Sequence, residues 1–200
     1  MPEYIPKFQK QLNGRGAIPV PGKTRGARDC GPRAALHGID FLTRGELRPT
    51  VTQFRDRADV EGPQKTNIDD LRKGIESYTP RGRKPLRLFK KDFVGDIKSA
   101  VAAGKGVLLC IHYERFNDLM AKTGDPLYEG GHSVTVFGQR TNPDGEVMWL
   151  LYDSLDDARR AGIPQGPRWV RRSILVESME AFAGSKGRCY AGVLGGGQKR

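Results

Sequence analysis

From residue 30 to residue 78 the apolar positions recur at helical spacing. Ala35, Ile39 and Leu42 stand at i, i+4 and i+7, the stripe of a helix with one buried face. Asp29 offers an N-cap and Pro32 sits in the first turn, where its missing N–H costs nothing. This predicts a helix over 30–43. A short helix carrying Val51 and Phe54 is expected after Pro49. Thr66-Asn67-Ile68-Asp69 reads as another helix start; Ile68, Leu71, Ile75 and Tyr78 follow at helical spacing, and Pro80 ends the element. The pattern then changes. Leu86 to Phe89 predicts a short strand. Asp92 caps a helix with Val94, Ile97 and Val101 on one face, closed by Gly104 and Gly106. Val107 to Tyr113 is a central strand. His132 to Gln139 and Glu146 to Asp153 are two more, joined by Thr141-Asn142-Pro143-Asp144-Gly145. Asn-Pro and Asp-Gly are turn signals, so these strands should form an antiparallel hairpin. Ser173 to Phe182 predicts a helix, and Arg188 to Leu194 a last strand. Helices first, then an antiparallel sheet with helices interspersed, is an α+β order.

Composition narrows the class. A chain of 200 residues suggests one domain with a real core. The 26 glycines lead us to expect long loops. Apolar runs such as Val107 to Ile111 are strand-sized, so no membrane span is expected. Met1-Pro2-Glu3-Tyr4 lacks the apolar core of a signal peptide; if the protein acts outside a cell, something other than its own leader delivers it. Residues 1–28 hold six basic side chains against Glu3 alone, a net of +5. With their prolines and glycines they read as a basic extended arm. Residues 29–194 read as the folded domain and 195–200 as a flexible tail. The whole chain carries +11, which invites an anionic partner: nucleic acid, an anionic cell wall or an acidic protein surface. The basic residues are dispersed and no recognition motif is present, so specific nucleic-acid binding is disfavoured.

Three cysteines make a disulfide framework a poor reading. Cys110, in a strand pattern, and Cys189 read as core fillers. Cys30 differs: Arg28-Asp29-Cys30-Gly31-Pro32-Arg33 places it at a helix start. Orphan N–H groups and the helix dipole favour a thiolate there. Gly130-Gly131-His132 opens a strand and Tyr152-Asp153 closes the next. In a hairpin the end of the second strand returns beside the start of the first, so Asp153 should be a cross-strand neighbour of His132. The order suits a thiol nucleophile (Cys30), a base that becomes an acid (His132) and a carboxylate that orients the ring (Asp153). Asp156 and Asp157 are rivals for the third role. His37 reads as structural, His112 as a satisfied core histidine and Asp29 as a helix cap. Cys30, His132 and Asp153 show no paired metal-ligand spacing, and neither a metal nor another cofactor is expected.

These residues resemble the papain-like cysteine peptidases of the bacteriocin-processing, double-glycine leader type, over roughly residues 24–194. The motifs that carry the likeness are Asp29-Cys30-Gly31-Pro32, Gly131-His132 and Tyr152-Asp153, with the helix Ile68 to Tyr78 between them. The resemblance implies a papain-like fold, N-terminal helices packed on an antiparallel sheet. It implies hydrolysis of an amide bond through an acyl-enzyme, in a peptide, a glycine-rich leader or the stem peptide of peptidoglycan. The family carries an oxyanion glutamine six residues before the cysteine; Thr24 stands there in this chain. Gln9 and Gln11 are too far upstream to be simple replacements; either the Thr24 hydroxyl serves as the oxyanion donor or the loop is remodelled, with the Cys30 N–H as one remaining donor, and a slow or silent site is expected. Related domains occur in phage lysins and virions, which implies a phage product, in a virion or in the bacterial host cytoplasm. The alternative is a tail-associated virion protein using the fold as an assembly or adsorption module, its arm bound to neighbouring subunits.

Overall fold

Val107-Leu108-Leu109-Cys110-Ile111 shows no polar alternation because helices cover both faces of that strand. Val107, Leu109 and Ile111 pack with Ile97, Val101, Leu175 and Met179. Leu108 faces the other way, among Leu36, Ile39, Phe54, Ile75 and Phe137. The computed structural model describes residues 4–9, 28–62, 64–79, 86–89, 94–120, 131–154, 167–186 and 191–195. In chain order the elements are α1 (Cys30–Leu42), α2 (Val51–Ala58), α3 (Ile68–Ser77), β1 (Leu86–Phe89), α4 (Val94–Ala102), β2 (Val107–His112), α5 (Tyr113–Leu119), β3 (Gly131–Thr141), β4 (Val147–Tyr152), β5 (Arg168–Arg171), α6 (Arg172–Lys186) and β6 (Ala191–Leu194).

The strands form one six-stranded sheet in the order β1-β6-β2-β3-β4-β5, and every pairing is antiparallel. The fold is α+β, as expected. The three N-terminal helices pack on one face, and α4, α5 and α6 supply the cluster on the other. Each Leu, Val or Phe fully buried there contributes about 1.5–3 kcal/mol. Two helix starts are capping boxes. Thr50 Oγ1 accepts the Gln53 N–H while Gln53 Oε1 accepts the Thr50 N–H. Asn67 and Asp70 do the same for α3, where the sequence placed the start.

Elsewhere the structure departs from the pattern. The central strand stops at His112, paired with Gly131. His112 is no core histidine: it is half-buried at the N-cap of α5, where its Nδ1 accepts the Arg115 N–H at 3.4 Å. Tyr113 therefore opens a helix and does not close a strand. β5 was not anticipated, and α6 runs beyond both expected ends. Cys110 is half-buried, its sulfur 3.5 Å from Ser133 Oγ, so it is only partly the core filler expected. Of the basic arm, residues 4–9 lie against their own domain. Tyr4 Oη donates to Asp40 Oδ1 at 2.9 Å and the Gln9 N–H to His37 Nε2 at 2.9 Å. Tyr152 Oη donates to Pro6 O at 2.9 Å. The rest of the arm up to residue 27, Cys189 and residues 196–200 lie outside the described residues.

Among the described residues no helix is long and apolar enough to cross a membrane.

Candidate active site

Antiparallel order brings four strand ends together. Where β2 finishes, β3 begins; where β3 begins, β4 finishes; and there β5 begins. Tyr113, His132, Asp153 and Arg168 stand at those four positions. α1 lies along β3, with Thr135 Oγ1 donating to Ala34 O at 3.1 Å, and its first residue is Cys30. The Cys30 side chain lies close enough to the His132 ring to raise its pKa. The His132 Nε2–H donates to Asp153 Oδ1 at 2.7 Å, which leaves Nδ1 as the ring nitrogen for Cys30. The three residues singled out in the sequence are therefore brought together, with Asp153 on the nitrogen away from the sulfur.

The hairpin reaches this geometry by a different register from the simple one. Thr135 pairs with Tyr152 and Val136 with Leu151, but Gln139 pairs with Trp149, so an irregularity lies between residues 136 and 139. Continued by one pair, the register sets Asp153 opposite Val134, two residues beyond His132. The pair is diagonal and not directly opposed. An even offset keeps both side chains on one face, and diagonal neighbours are within reach of long side chains. An odd slip would have sent the carboxylate to the other face.

Electrostatics follow from burial. His132 and Asp153 are 1% and 0% exposed. Burial alone lowers the pKa of His132. The charge and hydrogen bond of Asp153, then the nearby Cys30, outweigh it and raise the pKa to about 9. The imidazole is thus held as imidazolium at neutral pH, next to a sulfur at a helix N-terminus, the setting in which a thiolate is favoured. The second oxygen of Asp153 is also held: Arg168 Nη2 donates to Oδ2 at 3.1 Å, and Tyr113 Oη donates to it at 3.4 Å. The Tyr113 ring meets the His132 ring edge-on with centroids 4.6 Å apart.

Asp29 occupies the N-cap position of α1, but its side chain makes no cap hydrogen bond. It is ion-paired with Arg55 instead, Nη2 to Oδ1 at 2.9 Å, with both side chains buried. Arg55 also donates to the carbonyls of Arg28, Gly62 and Gln64. One guanidinium thereby ties the segment before Cys30 to the loop after α2. Gly31 is needed because a Cβ there would overlap Thr66 Oγ1 and meet Leu71 Cδ2 at 3.2 Å.

His37 is structural, as expected. It is fully buried, it stacks on Phe8 and it meets Tyr152 edge-on. Burial first, and then the charge of Arg33, lower its pKa to about 3, so it stays neutral. Arg33, one turn past Cys30, is buried and donates to Gln9 Oε1 at 3.2 Å. Sequence reasoning missed Arg168, Tyr113 and Arg55. Only Arg168 left a trace, an Arg at each end of the four-residue run Arg168-Trp169-Val170-Arg171. Thr24, Asp156 and Asp157 lie outside the described residues. Among the described residues no cluster of His, Cys, Asp and Glu is placed to hold a metal ion.

No protein-family model matches the chain, and no curated protein matches it. Among solved structures it is similar to a protein of Bacillus anthracis provisionally assigned as a C39-like peptidase, the bacteriocin-processing class. The match covers 98% of this chain and 100% of that one with a TM-score of 0.57, at 11% identity. At that identity the likeness is one of fold: this chain has the fold of a C39-like peptidase.

Proposed function

We propose that the protein is a papain-like cysteine hydrolase that cleaves an amide bond in a peptide or in the stem peptide of peptidoglycan. The observation that carries the reading is the line Cys30–His132–Asp153, with Cys30 at the start of α1 beside the imidazole and the Nε2–H of that ring bonded to the carboxylate. His132 takes the Cys30 proton, and the thiolate attacks the substrate carbonyl. The oxyanion that develops is met by the Cys30 backbone N–H at the helix start. His132 then returns the proton to the leaving amine, leaving an acyl-enzyme. Water, deprotonated by His132, cleaves the thioester and restores the thiol. Asp153 keeps the ring oriented and stabilises the imidazolium each time it forms. The net charge of +11 suits an anionic substrate surface such as a cell wall.

The test is incubation of wild type and Cys30→Ala with a peptide mixture and with muropeptides, read by mass spectrometry. New amine and carboxyl termini formed by wild type and absent with Cys30→Ala support the reading. No cleavage by wild type of either substrate class, with Cys30 inert to alkylating probes, would point instead to a papain-like fold used as a binding module.

A further inference from the structure

We propose that Arg168 is a positioning residue of this site, completing an alternating line of charge that lets the Cys30 thiolate form. The inference rests on the hydrolase reading above. Asp153 divides its two oxygens: Oδ1 accepts from His132 Nε2 at 2.7 Å and Oδ2 from Arg168 Nη2 at 3.1 Å. A carboxylate held at both oxygens cannot turn its face away from the imidazole. Arg168 opens β5 on the far side of β4 from β3. Its guanidinium therefore reaches Asp153 from the side opposite His132, and its side chain is 11% exposed.

In the reactive state the line reads thiolate, imidazolium, carboxylate, guanidinium, and its net charge is zero. With a neutral thiol beside the imidazolium the same line carries +1, so losing the thiol proton to solvent relieves an excess of positive charge. Without the guanidinium the order inverts. The line is then neutral with a thiol and carries −1 with a thiolate, inside a site where isolated charge is costly. The other groups that face Asp153 do not replace Arg168. Tyr113 Oη is a neutral donor. His37, which feels the charge of Asp153 from α1, is uncharged. Arg33 lies beside His37 and donates to Gln9. Arg168 is bonded to the carboxylate itself.

Two variants separate charge from packing. Arg168→Gln keeps a donor near Oδ2 and removes the charge; Arg168→Lys keeps the charge and removes the planar fork. The measurement is the rate of Cys30 alkylation by iodoacetamide from acid to alkaline pH, read by mass spectrometry on the Cys30 peptide of the full chain. Wild type is expected to keep a fast rate on the acid side of the ordinary thiol range near pH 8.5. A wild-type rate that rises only with an ordinary thiol would overturn the hydrolase reading itself, whatever the variants do. Given the fast wild-type rate, Arg168→Gln should move the acid limb upward by about one pH unit, the scale of losing one unit charge several ångströms away in a partly buried site. Arg168→Lys should leave it within about a few tenths of a unit. A Gln variant with the wild-type limb, or a Lys variant shifted as far as the Gln variant, would overturn the proposal. If circular dichroism shows Arg168→Gln unfolded, Arg168→Lys decides: a limb kept in place sustains the charge role, and a shift of a full unit rejects it.

Discussion

At the scale of single residues the chemistry turns on His132. Its pKa is about 9 in the folded chain, against about 6.5 for a free histidine. A pKa raised by folding contributes stability that is fully present below about pH 6.5 and is lost as pH rises through about 9. Asp153 is the main source of the rise. We expect Asp153→Ala to bring the His132 titration, followed by NMR of the ring proton, back down in pH. The gap in melting temperature between wild type and this variant should then shrink as pH is raised through about 9. A titration unmoved by the substitution would remove Asp153 from its role. The oxyanion side has its own test. Turnover of a peptide or muropeptide substrate should rise in Thr24→Gln if the threonine leaves a donor missing, because one such donor is worth about a hundred- to a thousandfold. Cys30, His132 and Asp153 were legible because each stands at an element boundary that sequence marks well: a helix start, a Gly-His strand opening and the end of a hairpin. Arg168 and Tyr113 were not. Their roles arise from which strand ends fall side by side, a property of sheet order that no local window contains.

At the scale of elements, two packing constraints hold Cys30 in place. The Asp29–Arg55 pair is buried on both sides, and removing one member of such a pair strands a charge at a cost of about 3–5 kcal/mol. Arg55→Met should therefore lower unfolding free energy by that order in denaturant titrations. It should also slow Cys30 alkylation, since the segment before α1 loses two hydrogen bonds from Arg55 and the loop after α2 loses the two that tie it there. A variant as stable and as reactive as wild type would show that the pair is incidental. Gly31→Ala should destabilise by about 1–3 kcal/mol through overpacking against Thr66, and Thr66→Ala in the same chain should recover part of that loss. The sequence placed α1, α2 and α3 well because periodicity and capping chemistry are local. It set the hairpin strands in the simple register although Gly138, a lone glycine inside the strand pattern, marks the irregularity between residues 136 and 139; a glycine of that kind signals a bulge without fixing the size of the shift. β5 was invisible for another reason: four residues, Arg168-Trp169-Val170-Arg171, are too few to show a period.

At the scale of the whole molecule, the described part of the N-terminal arm acts as a strap across α1 and β4. Phe8 stacks on His37 and tilts against Tyr152, and the Lys7 N–H donates to Asp40. Ordering such a segment costs about 1–2 kcal/mol per residue, so its contacts must be worth at least as much. Phe8→Ala is expected to lower the melting temperature and to expose His37, whose titration should then rise from its depressed position. A melting temperature and a His37 titration like those of wild type would contradict that coupling. The α+β class was legible from the order of periods along the chain. The two helical layers were foreshadowed by the unbroken apolar run at Val107 to Ile111, although a run of that kind does not say which helices cover which face.

The central claim, that Cys30 is a thiolate held by His132, is tested most directly by alkylation at pH 6. An ordinary thiol with a pKa near 8.5 is only about 0.3% ionised there. Wild-type Cys30 should react with iodoacetamide on the order of a hundred times faster than Cys110 in the same molecule, and His132→Ala should remove that advantage. Equal rates for Cys30 and Cys110 in the folded wild-type protein, unchanged by His132→Ala, would contradict it.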